Sequence, residues 1–206
     1  MHTMLPENKN PVLRDISKDI LLRDIKSPRI KKLITDMKAL LAKEEYGVAL
    51  AAPQVGEPIR LFIVSGRALL RQAQDKSPRH PRSDYEHNDS SIDVSRHSTG
   101  PEGPGSGPRT GAESRDQVYI NPVILKTSRA KKGKHEGCLS IRGKWGIVVR
   151  AEKASIRAHD ETGKLFTRGA SGFLAHVFQH EMDHLNGILY TDKATKIYDE
   201  SEEKRS

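Results

Sequence analysis

Cysteine is nearly absent from this chain. Cys138 is the only cysteine in 206 residues, so no disulfide can form within the chain, and a lone thiol fits a reducing compartment. No apolar run approaches the ~20 residues that a membrane-spanning helix needs. The first residues carry Pro6, Glu7 and Lys9 with no apolar stretch behind them, unlike a secretory signal. We therefore expect a cytoplasmic protein without a membrane segment.

Positive charge is in excess, with 35 Lys and Arg against 27 Asp and Glu, a formal net charge of +8. A solvated basic face would account for this excess, and so would a surface that meets RNA phosphates. No segment resembles a specific nucleic-acid recognition motif. Part of the excess lies in residues 23–32, and part in Lys126, Arg129, Lys131, Lys132 and Lys134.

The hydrophobic pattern predicts one α+β domain over residues 1–206. Residues 27–46 have helical periodicity, with Ser27 as N-cap, Pro28 in the first turn and Gly47 past the end. A second helix is expected from Ser171 or Gly172 to Gly187. Short strands are predicted at residues 61–64, 118–121, 147–149, 154–158 and 165–167, with a hairpin turn at 160–163. We expect small mixed or antiparallel sheets packed around the second helix.

The composition changes between residues 66 and 116. This segment is rich in Ser, Pro, Gly, Arg and Asp, and residues 100–108 read GPEGPGSGP. A segment so poor in apolar residues cannot offset the entropy of ordering it. We therefore predict a long, disordered, low-complexity insertion within the domain rather than a second domain.

Residues 179–184 read QHEMDH and predict a metal site on a helix. At ~3.6 residues per turn, His180 and His184 lie on one face, where both imidazoles can bind the same ion. Glu181 lies beside that face and can act as a general base without being a ligand. A surface helix rich in His and Glu could match this pattern by accident. His176 extends the spacing, but each four-residue step turns about 40° beyond a full turn, so we assign it no ligand role.

Two ligands do not complete a catalytic metal site, which usually has three protein ligands and one open position. Cys138 could be a small buried hydrophobic residue. Its context, EGCLS at residues 136–140, also suits a thiolate ligand, because Gly137 permits close backbone approach. A metal site with one cysteine and two histidine ligands is the more specific hypothesis.

Residues 47–54 read GVALAAPQ, a small apolar run that ends in one amide. The run could simply be a packed strand. Burying the Gln54 amide is costly unless it is hydrogen-bonded. Gln54 could therefore donate a hydrogen bond to an oxyanion.

The three segments together resemble the peptide deformylase family, whose motifs GxGLAAxQ, EGCLS and QHExDH occur in this order. The resemblance extends to residues 10–13, 119–122 and 184–187. It implies hydrolysis of the N-formyl group from the initiator formyl-methionine of nascent polypeptides, with release of formate. Zinc proteases that share HExxH need not supply a cysteine ligand.

The resemblance also implies roles for particular residues. Cys138, His180 and His184 would hold one ion per chain, with Fe2+ preferred and Zn2+ or Ni2+ accepted. Glu181 would move the proton, while the Leu139 backbone N–H and the Gln54 side chain would stabilise the oxyanion. The substrate would lie as an added strand, implicating Val48, Ala49, Leu50 and Gly137. Val177 and Phe178 would line the methionine pocket, unless their side chains only pack in the hydrophobic core.

Two departures from the family pattern affect substrate binding. Ala49 replaces the second glycine of the first motif and adds a methyl group where the bound strand must come close. Arg142 stands where relatives often have a proline, and relatives often have near Trp145 an arginine that helps to hold the peptide. A deformylase-like protein that binds metal and peptide with weak or altered activity is therefore one alternative, and a metal-dependent peptidase is another. A deformylase could also dock near the ribosome through its basic face.

Overall fold

The segment Leu61–Val64 is a strand whose four residues are all buried. Its side chains alternate between two apolar clusters, with Phe62 and Val64 in one and Leu61 and Ile63 in the other. In this computed structural model, which describes residues 2–75 and 115–199, the strand is therefore covered on both faces.

The described residues form eight strands, four α-helices and four short 3-10 helices. The strands are β1 (Ala49–Ala51), β2 (Leu61–Val64), β3 (Gln117–Thr127), β4 (Lys131–Cys138), β5 (Ile141–Ala151), β6 (Lys153–His159), β7 (Leu165–Ser171) and β8 (Ala194–Asp199). The α-helices are α1 (Pro28–Lys43), α2 (Gly66–Asp75), α3 (Gly172–Leu185) and α4 (Tyr190–Lys193), and the 3-10 helices are Glu7–Lys9, Pro11–Arg14, Leu22–Asp24 and Ala52–Val55. None of the helices in the described part of the chain is both long and apolar enough to cross a membrane.

The strands form two sheets that flank helix α3. The larger sheet has the order β1-β2-β3-β6-β7 and the smaller has the order β4-β5-β8, and all pairs of these strands are antiparallel. Helix α3 contacts β1, β6 and β7 of the larger sheet and β5 of the smaller one, whereas α1 contacts β1 and β2. Antiparallel sheets packed around a central helix confirm the predicted α+β class.

The helix ends also match the sequence signals. The Ser27 hydroxyl accepts a hydrogen bond from the Ile30 N–H at 3.4 Å, as an N-cap does. A Cβ at Gly47 would lie 2.8 Å from the Leu41 carbonyl oxygen, so only glycine fits beside the end of α1. Gly187 has φ +72° just after α3, and a Cβ there would lie 2.5 Å from the Arg14 carbonyl oxygen.

The prediction of a disordered segment from residue 66 is wrong at its start, because residues 66–75 form α2. The Ser65 hydroxyl accepts a hydrogen bond from the Ala68 N–H at 3.3 Å, and Ala68 is buried in the apolar cluster that contains α3. A cap and one packed apolar face order residues 66–75 as a helix. The rest of the predicted insertion, residues 76–114, lies outside the described residues.

Strands β4 and β8 were not predicted. Strand β4 begins with a run of Lys and Gly that has no apolar alternation, and it pairs with the predicted β5 region across a two-residue turn. Strand β8 then pairs with the other edge of β5. Pairing with an apolar neighbour, rather than local propensity, orders both segments.

Candidate metal centre

Helix α3 presents two imidazoles to the end of strand β4. His180 and His184 lie one turn apart on α3, with ring centroids 4.8 Å apart, and Cys138 is the last residue of β4. The potential ligand atoms of these three residues all lie within 4.8 Å of one another. The Cys138 Sγ is 3.3 Å from the His184 Nε2. The structure thus brings together the three residues that the sequence predicts as ligands.

The chemistry of these side chains fits a divalent transition-metal ion. Burial raises the pKa of the Cys138 thiol, but His184 and His180 lower it by more, so that the pKa lies well below its usual value. Burial lowers the pKa of His180, but hydrogen bonds with Cys138 and Glu136 raise it to about 10. A thiolate with two imidazoles suits iron, nickel or zinc, and metal binding would release protons from these groups.

A buried ion-pair network orients His180. The His180 Nδ1 lies 3.0 Å from Glu136 Oε2, and Arg150 donates two hydrogen bonds to the Glu136 carboxylate. Burial raises the pKa of Glu136, but His176, whose Nδ1 lies 3.8 Å away, and hydrogen bonds from His180 and Arg150 lower it by more, so Glu136 is held as a carboxylate. Because its Nδ1 is hydrogen-bonded to Glu136, His180 presents its Nε2 to an ion.

The same network extends to the back of α3. Arg150 also donates to Asp183 at 2.8 Å, and Lys193 donates to the other Asp183 oxygen at 2.6 Å. Sequence reasoning did not assign a role to Arg150, although one signal was present. A single arginine between Val149 and Ala151, inside an apolar strand, must be paired if it is buried.

Glu181 is a buried carboxylate that faces the same cleft as the ligands. It is 4% exposed, and its Oε2 has no hydrogen-bond partner among residues 2–75 and 115–199. Burial raises its pKa above the usual value, although the His180 and His184 imidazoles oppose this. An unpaired, buried carboxylate beside a metal site can accept a proton from a bound reactant.

The Gln54 amide is aimed at the cysteine. Its Oε1 accepts a hydrogen bond from the Ala51 N–H at 2.8 Å, which points the Nε2 group toward the site. The Nε2 lies 3.4 Å from Cys138 Sγ and 3.3 Å from Ser140 Oγ. Leu139 occupies the two-residue turn between β4 and β5, so its backbone N–H is not used in the ladder between those strands. Both predicted oxyanion donors therefore flank Cys138.

A cleft of about 680 Å³ opens over this centre. Of the predicted substrate-binding residues, Val48, Ala49, Gly137 and Val177 line it. Strand β1 is an edge strand of the larger sheet, so one side of it is available to an added strand. Sequence reasoning did not identify Phe173 or His176 as lining residues, because helical position alone does not show which residues face a cleft.

The side chains of two predicted substrate-binding residues lie elsewhere. Leu50 is fully buried in the cluster beneath α1, so only its backbone could contact a peptide. Phe178 is fully buried and packs edge-on against Tyr119, with ring centroids 5.3 Å apart. Phe178 is therefore a core residue, because its position on α3 faces the larger sheet rather than the cleft.

The arrangement of ligands, buried carboxylate and amide donor defines the class of protein as a metal-dependent hydrolase. Comparison with known proteins then gives the family. The polypeptide deformylase family matches residues 4–200. The peptide deformylase of Symbiobacterium thermophilum is 39% identical over 176 residues, which cover 84% of this chain and 59% of that protein. The peptide deformylase of Leptospira biflexa is 33% identical over 94% of this chain and 89% of its own length.

Solved structures agree with this match. The peptide deformylase of Thermotoga maritima superposes with a TM-score of 0.65 at 25% identity, covering 95% of this chain and 99% of that one. A Met-Ala-Ser-bound class I type b peptide deformylase of Acinetobacter baumannii has a TM-score of 0.65 at 26% identity, covering 94% and 98%. This chain belongs to the polypeptide deformylase family. Its fold and its Cys-His-His cluster are consistent with removal of N-formyl groups from nascent polypeptides.

Proposed function

We propose that this enzyme hydrolyses the N-formyl group of the initiator formyl-methionine, with Cys138, His180 and His184 holding one Fe2+ ion. The observation that carries the proposal is the convergence of these three side chains with Glu181 and Gln54 on one cleft. Zn2+ or Ni2+ would also suit the thiolate and imidazole ligands. When bound, the ion supplies Lewis acidity and lowers the pKa of water in the site.

Glu181 moves the proton in this mechanism. As water attacks the formyl carbon, one water proton passes to the Glu181 carboxylate. The bond between the formyl carbon and nitrogen then breaks, Glu181 returns the proton to the leaving amine, and formate is released. The burial of Glu181 and its unpaired Oε2 support this role.

Gln54 and Leu139 stabilise the negative charge that develops on the formyl oxygen. The bond from the Ala51 N–H fixes the Gln54 amide in advance, so that its Nε2 donates without rearrangement. The Leu139 backbone N–H donates from the turn beside Cys138. Such donors contribute most when they are aimed before the reaction.

The formylated peptide would bind as an added strand along β1. The backbones of Val48, Ala49 and Leu50 would pair with it on one side, and Gly137 would flank it on the other. The first side chain would enter the part of the cleft that Val177 lines. The methyl group of Ala49 narrows this approach and slows binding relative to a glycine at that position.

The basic residues around the connection between β3 and β4 would contact RNA near the exit of the ribosome. Its exposed cations include Lys126, Arg129, Lys131 and Lys132. Contact with phosphates would release counterions, so association should weaken as salt increases. We place the site of action in the cytoplasm, where a single cysteine remains a thiol.

Formate release from formyl-Met-Ala-Ser, by full-length protein loaded anaerobically with Fe2+, tests this proposal. We expect release by the wild type and a loss of about 10²- to 10⁴-fold in Glu181→Gln, which keeps the shape of the side chain but not its basicity. The metal content of the wild type and of Glu181→Gln, measured on the same samples, should be equal. A fully active Glu181→Gln would contradict the assignment of the base.

A second candidate is a metal- and peptide-binding protein with little turnover, which Ala49 and Trp145 favour because both alter the substrate path. The same assay separates the two functions. Metal-loaded wild type that binds Met-Ala-Ser but releases no formate would support the second candidate and contradict the first.

A further inference from the structure

Trp145 forms a flat surface at the outer end of the cleft. A Cβ built on Gly137 would meet ring atoms of Trp145 at 3.3 Å, so the indole packs directly on the glycine backbone. On its other side, Trp145 is paired in register with Tyr198 of β8. The Tyr198 hydroxyl is hydrogen-bonded to the His135 Nδ1, and the two rings meet nearly edge to face at 5.7 Å. We call Trp145, His135 and Tyr198 the aromatic shelf.

The backbone that carries Trp145 is held in place by contacts with α4. The Tyr190 hydroxyl donates a hydrogen bond to the Lys144 carbonyl at 3.0 Å. A Cβ at Gly146 would lie 2.9 Å from Ala194 and 3.0 Å from Tyr190, so the strand that carries Trp145 is in close contact with α4 and the start of β8. The backbone on both sides of Trp145 is therefore held in place.

The shelf continues the substrate cleft. Trp145 and His135 line the cleft together with Gly137. Tyr198, which is paired with Trp145, extends the aromatic shelf beyond the residues that line the cleft. Trp145 packs on Gly137, a proposed substrate-binding residue, and a peptide strand advances ~3.3 Å per residue, so a peptide bound beside Gly137 would pass the indole within a few residues. The nearest occupant of the shelf is therefore the part of the substrate that follows its first residue.

Resting on the proposed function, we propose that Trp145 selects formylated peptides with an aromatic side chain at position two or three. Aromatic pairs gain more than the burial of equal apolar area, because their charge distributions favour offset or edge-to-face contact. The exposed cations Arg142 and Lys144 beside the shelf add attraction for the face of a ring.

Binding can be measured without catalysis, because Trp145 is the only tryptophan in the chain. The wild-type protein is titrated with the product peptides Met-Phe-Ala, Met-Ala-Phe and Met-Ala-Ala while the indole emission is recorded. Cyclohexylalanine in place of Phe gives a ligand of similar size without an aromatic ring. We expect a blue shift and about fivefold tighter binding for one of the Phe peptides than for its cyclohexylalanine analogue. Equal affinity, or unchanged emission at saturation, would overturn the proposal.

Kinetics on the formylated peptides assign the effect to Trp145. In the wild type, kcat/KM should favour the Phe peptide over the Ala peptide about fivefold, with the difference in KM. The preference should disappear in Trp145→Ala and persist in Trp145→Phe. Val149→Ala is the matched control, since Val149 is an exposed apolar residue of the same strand that does not line the cleft.

The two sets of measurements separate the failures. No formate from any peptide would contradict the proposed function, while the emission titration would still test the shelf. Formate release with the same Phe preference in the wild type and in Trp145→Ala would contradict the role of Trp145 alone.

Discussion

The metal centre and the rim of the cleft differ in how their residues are constrained. His184, Glu181 and Gln54 are at least nine-tenths buried, and the centre is joined through Glu136 to a network of ion pairs. At the rim of the cleft, the Arg142 side chain is 67% exposed and forms an ion pair with Glu44 at 2.7 Å. Burial and mutual hydrogen bonds fix the chemistry, whereas the exposed rim can change without disturbing it. The departures from the family pattern at residues 142 and 145 lie in the rim.

Apart from the loss of the base Glu181, the largest effect should come from removing the Gln54 donor at the centre. In Gln54→Glu, the side chain can still accept the Ala51 N–H but can no longer donate to an oxyanion. We expect kcat to fall about 10²- to 10³-fold with little change in KM. Steady-state kinetics at full metal occupancy measure this.

Ser140→Ala is the control, because it removes the other contact of the Gln54 Nε2 without removing the donor. Its kcat should fall less than that of Gln54→Glu. Equal losses would mean that Gln54 acts mainly by holding the turn.

A smaller effect is expected from the network behind the ligands. Arg150→Met removes a cation that is 4% exposed and leaves Glu136 and Asp183 incompletely paired. We expect metal affinity to fall about 10- to 100-fold through His180, and the free energy of unfolding to fall by about 3–5 kcal/mol. Chelator competition and denaturant unfolding measure these changes.

Arg157→Met offers a matched control, since Arg157 is exposed on β6. It should change the free energy of unfolding by no more than about 0.5 kcal/mol. If Arg150→Met kept full metal affinity, the network would not orient His180.

Sequence patterns predicted the centre better than its surroundings. Cys138, His180 and His184 could be found because the chemistry requires fixed residue types at fixed spacings. The Glu136–Arg150 pair could not, because the two residues meet only through the β4–β5 pairing. Phe178 shows the same limit, since a helical position gives no information on whether a side chain faces the cleft or the larger sheet.

The fold was likewise predictable where local signals were strong. The cap at Ser27 and the apolar face of α1 marked that helix correctly. Strand β4 gave no local signal, because Lys131–Lys134 is ordered only by its partner strand. Helix α2 was missed because its short apolar face lies at the start of a segment whose overall composition is polar.

The smallest effect should come from the rim. Arg142→Ala breaks the exposed ion pair with Glu44, and such pairs contribute about 0–1 kcal/mol to stability. We expect kcat/KM for formyl-Met-Ala-Ser to change less than about threefold. A loss of more than about tenfold would show that the rim and the centre are coupled, and that the rim cannot change without disturbing the chemistry.

The most direct test of the Cys138-His180-His184 metal centre is the absorption spectrum of the full-length protein loaded with Co2+, compared with that of Cys138→Ser. A cobalt ion bound by the Cys138 thiolate gives a charge-transfer band in the near ultraviolet, because a coordinating thiol is deprotonated. We predict this band in the wild type and its loss in Cys138→Ser. The same spectrum in both proteins would contradict a Cys138-His180-His184 metal centre.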